Sequence, residues 1–330
     1  MDKPLVSVIM PAYNAELYIG EAIESVVNQT FQNWELIIIN DGSTDGTLNQ
    51  IKRFKNSKIR LYESVNRGQA YQLNYGISIS KGNFIAIAHA DDISLPTRLE
   101  KQVAFLAQNL SIGVCGSAIK LFGAFTEKAV SYPTDPSLCY QELFFGNPLA
   151  HPAIMINALI LKESKLEYDD SYQAAEDYNL WIRLCYFTKL SNLSEILVHY
   201  RIHQNQISQL KKNEEEDLVR LSRIILIEQL CKPTGDYYNL IFSFVYEQEK
   251  LCANEQWQAV NFLSQKIIKK KLMVRKLAMS FSLSILKRNL YTLPYCSRLI
   301  HLPLILKYKK MLTVFETFIL FKNLFLKKSV

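Results

Sequence analysis

Residues 84–96 read FIAIAHADDISLP. The apolar run Phe84-Ile85-Ala86-Ile87-Ala88 has the length and β-branched content of a buried strand, and it stops at His89-Ala90-Asp91-Asp92. Pro96 opens the next helix-like segment. Two adjacent carboxylates at the end of a buried strand are costly unless positive charge sits on them. Oxygen ligands at such a point suit a hard divalent cation, which in turn suits a diphosphate. The plainer alternative is that Asp91 or Asp92 caps the following helix.

The sequence upstream favours the first reading. Residues 5–10 form a strand-like run with no basic and apolar leader ahead of it, so a cytoplasmic protein is expected. After Pro11-Ala12-Tyr13-Asn14, the positions Ile19, Ala22, Ile23, Val26 and Val27 share one helical face, with Asn14 as the expected N-cap. A second strand at 34–39 runs into the turn NDGSTDG at 40–46; a third strand at 59–62 and a helix at 69–80 lead back to Phe84. Strands and helices that alternate in this way, with continuously apolar strands, argue for an open parallel sheet with helices on both faces. Ligands of such sheets bind beyond the carboxyl ends of the strands. Tyr13-Asn14, Asp41 and Asp91-Asp92 all fall at that edge.

The ligand is not a dinucleotide held by a glycine loop. The first turn reads PAYNAE, with no glycine before Gly20, and the chain has no phosphate-binding G-x-x-x-x-G-K-[ST] loop. Phosphates are therefore expected to be held through a metal. A nucleotidyltransferase would want glycine and a basic residue in that first loop, and PAYNAE has neither.

Composition allows a full α/β core plus an appendage: 330 residues, 49% of them hydrophobic. The six cysteines are far apart and form no C-x-x-C pair, which suggests neither zinc nor a disulfide framework. The net charge of +7 conceals an asymmetry. Residues 261–330 hold 15 Lys and Arg against one acid, Glu316, for a local charge of +14, which leaves −7 on the first 260 residues. Leu, Ile and Phe crowd the same segment, yet no apolar run reaches the roughly 18–20 residues that would cross a bilayer. Basic, apolar, helix-permissive segments of this kind read as interfacial helices on an anionic leaflet. Nucleic acid would leave the Leu and Phe unused, so no nucleic-acid partner is expected. A helical cap or an oligomer contact is the alternative use of the tail.

The stretches LVSVIMPAYNAELYIGEAIESVVNQTFQNWELIIINDGSTDGT and ESVNRGQAYQLNYGISISKGNFIAIAHADDISLPTRLEKQV resemble family 2 of the glycosyltransferases, over roughly residues 4–205. The resemblance implies a GT-A fold: an open, mostly parallel α/β sheet of the nucleotide-diphospho-sugar transferases with helices on both faces. It covers a catalytic domain at 1–208; beyond it, the helical spacing of apolar positions and the basic tail make 209–330 an expected helical, basic, membrane-associated C-terminal region. Carried over by position, it puts Pro11, Tyr13, Asn14, Glu16, Asp41, Arg67, Gly68, His89 and Asp91 at the nucleotide. Asp91 and Asp92 would hold a divalent metal, Mn²⁺ or Mg²⁺. The AAEDYNLW stretch resembles the family's E-D-x-x-L-W element, which makes Asp177 the general base with Glu176 beside it. Trp181, with Arg201 and His203 of HYRIH, would lie at the diphosphate or acceptor.

The implied function is inverting transfer of a sugar from a nucleotide diphosphate to a saccharide acceptor. That acceptor would be a cell-surface polysaccharide or a glycan on a polyprenyl lipid, assembled at the inner face of the membrane. The pattern breaks at one place. The family reads Asp-Ala-Asp-Asp where this chain has His89-Ala90-Asp91-Asp92, which keeps open a non-catalytic, nucleotide-sugar-binding homologue or membrane adaptor.

Overall fold

The computed structural model describes residues 5–123, 127–144, 146–203, 206, 217–219 and 221–226. The chain divides into two units, residues 1–222 and 223–330, and the geometry below belongs to the first. The expected boundary at 208 lies outside the described residues. Of the expected helical C-terminal region, 217–219 and 221–226 are helical, and the remainder lies outside the described residues. Among the described residues no helix is long and apolar enough to cross a membrane.

The first half alternates as the sequence pattern predicts: β1 (Val6–Ala12), α1 (Ile19–Val27), β2 (Trp34–Asp41), α2 (Thr47–Lys52), β3 (Ile59–Ser64), α3 (Gln69–Ser78) and β4 (Phe84–Ile87). Then come β5 (Ile93–Ser94), α4 (Arg98–Gln108), β6 (Ile112–Gly123), β7 (Lys128–Val130), α5 (Pro136–Glu142), β8 (Met155–Asn157), α6 (Ala158–Ser164), α7 (Glu176–Leu184) and β9 (Lys189–Ile202). The sheet runs β3-β2-β1-β4-β8-β6-β9-β5, with β7 on β6.

The strands β3, β2, β1 and β4 are parallel, as expected. Beyond β4 the sheet is mixed. β8 enters at the carboxyl edge, where Met155 pairs with Ala86 and Asn157 with Phe84, so it has to run back antiparallel to β4. β6 is antiparallel to β8, and β9 is parallel to β6. The carboxyl end of β9 therefore arrives at the same edge as that of β4. This polarity brings His151, just before β8, and Arg201 and His203, at the end of β9, to the Asp91-Asp92 turn.

Helices cover both faces of the sheet. Val8, Met10, Leu36 and Ile38 share a core with Ile19, Ala22, Ile23 and Val26 of α1. Alternate residues of a strand point oppositely, so Ile9 and Ile39 face the other way, onto α3. There Gly76 lets the backbones approach: a Cβ on it would stand 2.5 Å from Ile9 Cγ2 and 3.0 Å from Ile39 Cδ1. Pro11 continues β1 past the end of β4. The Ile9 carbonyl accepts from Ala88 N–H; two residues on, Pro11 faces the same side where no β4 partner remains, and its missing donor costs no ladder bond.

The expected Asn14 cap is not found, and neither is the alternative one at Asp91 or Asp92. Tyr18, not Asn14, precedes α1, and Thr97 precedes α4, so neither Asp91 nor Asp92 is used as a helix cap. α4 is instead seated by a buried polar pair. Arg98 donates to the carbonyls of Ile87 (2.7 Å) and Ile154 (3.0 Å) and to Ser94 Oγ (2.9 Å). Gln102 accepts from Arg98 Nε (3.1 Å) and donates to the carbonyls of Cys115 (3.0 Å) and Ala153 (2.8 Å).

The close seating of α3 can be measured. Overpacking costs about 1–3 kcal/mol, against roughly 1 kcal/mol that alanine returns over glycine in helix propensity. Gly76→Ala should lower the melting midpoint, whereas Gly20→Ala in α1, with nothing within 4 Å of the new methyl, should hold or raise it. Equal shifts in the two variants would contradict this packing.

Candidate functional site

Three groups of side chains meet at the carboxyl edge. The first staples the PAYNAE loop to the turn after β2. Asn14, at φ +48, donates its N–H to Ser43 Oγ (3.0 Å) and accepts from Thr44 N–H (2.9 Å). Glu16 donates its N–H to Asp45 Oδ2 (3.1 Å) and accepts from Gly46 N–H (2.9 Å). Tyr13 stands 52% exposed beside them. Asp41 builds the next loop. Its carboxylate accepts from Arg67 N–H (2.9 Å), Gly68 N–H (3.0 Å) and Gln72 Nε2. Gly68, at φ +88, takes a conformation that side chains disfavour. The Arg67 guanidinium lies over Tyr71. Asn14, Glu16 and Asp41 thus shape the loops, and the surface left open is Tyr13, Arg67 and the backbone at Gly68.

The second group is the acidic turn. Asp91 accepts from His203 Nε2 (2.9 Å), and its carbonyl from Arg201 Nε (2.8 Å). Arg201 also donates its backbone N–H to Asp92 Oδ1 (2.8 Å) and an Nη2–H to Glu21 (2.5 Å), with its guanidinium between Tyr18 and Phe122. The two acids separate electrostatically. Burial, then the charge of Asp91, pushes Asp92 well above the usual carboxylate range. Asp91 is also pushed up by burial, but the His203 hydrogen bond and the His89 charge outweigh this and hold it low. Asp92 Oδ2 is buried and has no hydrogen-bond partner. His89 Nδ1 faces it at 3.6 Å, and burial holds His89 below its ordinary value. The ligand atoms of His89, Asp91 and Asp92 lie within 4.8 Å of one another.

A buried chain continues from this turn. His89 Nε2 meets His151 Nδ1 at 3.0 Å, and His151 Nε2 meets the Tyr168 hydroxyl at 2.9 Å. His151 is therefore satisfied at both nitrogens. Burial, then the charges of Asp177 and Glu176, pushes the Tyr168 phenol well up, which carries the chain to the third group.

That group is the first turn of α7, aimed by Ala174 at φ +71. Asp177 accepts from Asn147 Nδ2 (2.6 Å) and from the N–H of Tyr178 (2.6 Å). Burial outweighs both hydrogen bonds and pushes its carboxyl up to about 6. Glu176 is buried beside it. Trp181, expected to contact the diphosphate or acceptor, is 0% exposed, and its ring lies 6.4 Å from that of His151. It has no surface to offer a ligand, so it packs α7 against the histidine chain.

A family model described as glycosyl transferase family 2 matches residues 7–165. An uncharacterized glycosyltransferase of Haemophilus influenzae is 36% identical over 234 residues, which span 66% of this chain and 71% of the relative. The chain belongs to glycosyltransferase family 2. Within the family it is also similar to the Escherichia coli UDP-Glc:alpha-D-GlcNAc-diphosphoundecaprenol beta-1,3-glucosyltransferase WfgD, at 30% identity over 218 residues, 65% of this chain and 83% of that one. The fold is that of the mannosyltransferase PcManGT of Pyrobaculum calidifontis, solved with GDP-Man and Mn²⁺, at a TM-score of 0.55 and 15% identity, covering 98% of this chain and 88% of that one.

The glycosyltransferase sequence leaves Arg98, Asn147, Gln72 and Tyr168 unmarked as site residues. Arg98 and Gln102, four apart on a helix whose neighbouring inward positions are Leu99 and Leu106, were visible only as polar residues on a core-facing stripe. Tyr168 carries no local signal, and nothing local shows what Asn147 holds, because the partners that give them their place are 17 and 30 residues away.

The raised Asp177 carboxyl has a measurable consequence. Its folded value of about 6 lies above its ordinary 3.8, so the fold favours the protonated form and loses stability as pH rises from about 4 through 6. Asp177→Asn has no charge to bury. It should therefore raise the melting midpoint at pH 8, with the gain shrinking below pH 6 and gone by pH 4; a loss of stability at pH 8 would refute this burial.

Proposed function

We propose that this glycosyltransferase is inverting, and that it moves a sugar from a nucleotide diphosphate donor to a saccharide acceptor in the assembly of a cell-surface or lipid-linked glycan. The observation that carries the reading is the pairing of two unlike acidic centres at one sheet edge. Asp177 is a half-buried carboxyl tuned to about 6. Asp92 keeps a buried, unpartnered oxygen beside Asp91 and His89. Inversion is one in-line displacement at the anomeric carbon: the acceptor oxygen attacks, the diphosphate leaves from the opposite face, and the acceptor proton goes to a base. Asp177 is that base, held in place by Asn147. A carboxyl near 6 is ionised at neutral pH yet basic enough to take the proton.

On the donor side, Tyr13, Arg67 and Gly68 line the nucleotide, while Pro11, Asn14, Glu16 and Asp41 hold their loops. The donor set fits a divalent metal, since Asp91 and Asp92 carry oxygen atoms and one of these is buried without a partner. When bound there, Mn²⁺ or Mg²⁺ would neutralise the departing diphosphate. Arg201 adds positive charge at the same place, and His203 lies on the Asp91 carboxylate. The name of the E. coli relative supports a uridine nucleotide and a polyprenyl-diphosphate acceptor.

The basic, apolar segment 261–330 lies outside the described residues. Its composition supports attachment to the anionic cytoplasmic face of a membrane, next to such an acceptor.

Three outcomes test this reading. Asp177→Asn should keep donor binding while transfer falls by about 10²–10⁴-fold, and the wild-type rate should rise with pH through an apparent pKa near 6. Unchanged turnover would remove Asp177 as the base, and no transfer from any nucleotide sugar by the wild type would favour the non-catalytic homologue that His89 suggests. UDP or GDP binding measured by calorimetry should weaken on adding EDTA and in Asp91→Ala; equal affinity throughout would end the metal role. Full-length protein should float with liposomes in proportion to their anionic lipid, with partial loss at high salt; indifference to anionic lipid would turn the tail into a packing or oligomer contact.

A further inference from the structure

We infer that His89 is a third ligand of the divalent cation, through Nδ1, and that His151 and Tyr168 behind it aim the ring. The inference rests on the metal reading above and goes beyond it by adding a nitrogen to an oxygen site.

The geometry at Asp92 carries it. Nδ1 of His89 and Oδ2 of Asp92 face each other at 3.6 Å, too long for a hydrogen bond. Two atoms that share an ion at bond lengths near 2.1–2.2 Å stand about 3.0–3.6 Å apart. Oδ2 is buried, with no other partner to account for it, and the Asp92 side chain is 4% exposed. Asp91 completes a set of three ligand atoms within 4.8 Å.

The second coordination layer is already built. His89 Nε2 is taken up by His151 Nδ1 at 3.0 Å, and His151 Nε2 by the Tyr168 hydroxyl at 2.9 Å. With a cation on Nδ1, one proton order remains along this chain: His89 Nε2–H donates to His151 Nδ1, and His151 Nε2–H donates to the Tyr168 oxygen. Outer partners of this kind fix the tautomer and ring orientation of a metal-binding histidine. His203 is placed differently, since its Nε2 lies on the Asp91 carboxylate.

The chemical consequence is selectivity. Imidazole suits the transition metals, whereas Mg²⁺ prefers an all-oxygen shell. An aspartate at position 89 would suit either ion; the histidine moves the preference toward Mn²⁺.

Pulsed EPR on the full-length protein with Mn²⁺, alone and with added UDP, reads the ligands directly. Nitrogen-14 modulation of the bound Mn²⁺ should be present in the wild type, remain in His203→Gln and vanish in His89→Asp and His89→Gln. In competition, the Mg²⁺ needed to displace Mn²⁺ from His89→Asp should fall by about tenfold. Tyr168→Phe should keep the nitrogen signal while weakening Mn²⁺ by about tenfold or more. Bound Mn²⁺ without nitrogen modulation, or modulation lost only in His203→Gln, would overturn the role of His89 and leave the metal reading of Asp91 and Asp92 intact. No Mn²⁺ binding even with UDP would remove both.

Discussion

A buried guanidinium holds the working edge of this protein together. Arg98 is 1% exposed and spends its donors on the carbonyls of Ile87 and Ile154, on Ser94 and on Gln102. Those two carbonyls sit at the last residue of β4 and just before β8, so one side chain ties together the two strands between which the chain reverses. Burial lowers its pKa only to about 10, so it stays charged at any physiological pH. Burial and the Asp91 charge push Asp92 up, and the Arg98 charge works against them; burial lowers His89, and the same charge adds to that. The acidic turn can stay buried because a cation lies beneath it and Arg201 and His203 come from the end of β9. Without Arg98, the Ile87 carbonyl that ends β4 would lose this donor, while the Ile154 carbonyl would keep the Ile87 N–H at 3.2 Å; an uncompensated buried group of this kind costs about 1–3 kcal/mol.

The two ends of the sheet use buried acids in opposite ways. At the amino edge Glu35 accepts from Ser7 (2.6 Å), Arg60 (2.6 Å) and the N–H of Lys81 (2.7 Å), which joins β1, β2 and β3 and the approach to β4. Burial pushes its carboxyl up, but these hydrogen bonds outweigh that and hold it low. At the carboxyl edge Asp92 keeps an oxygen without a partner, and Asp177 keeps a carboxyl that burial pushes toward neutrality. The chain from His89 through His151 to Tyr168 lies between these two acids and gives both a common rigid wall, backed by Trp181.

Much of the donor half was legible in the chain. Periodicity located β1, β2, β3, α1 and α3 to within a few residues, since each buries an apolar face whose spacing is local. The polar turns after β1, β2 and β4 stood out because a charge after a buried strand needs a reason. The roles within those turns were less visible. Asn14 was expected to cap α1, but its left-handed backbone commits it to the loop of Ser43 and Thr44. Of β9 only the HYRIH stretch at its end stood out, because its partners β6 and β5 lie far off in sequence.

The sequence by itself determined an α/β sheet with its acidic turns at one edge, the family, and a histidine where the family has an aspartate. Each of these follows from residues a few positions apart, whose spacing sets which face they share. Only the tertiary structure decided that β8 runs backward and delivers His151 to His89, that β9 brings Arg201 and His203 onto Asp91 and Asp92, and that Trp181 is wall rather than contact. Those outcomes depend on strand polarity and on which side chains fill a shared interior. Both are set by contacts between residues tens of positions apart, and no local pattern encodes them.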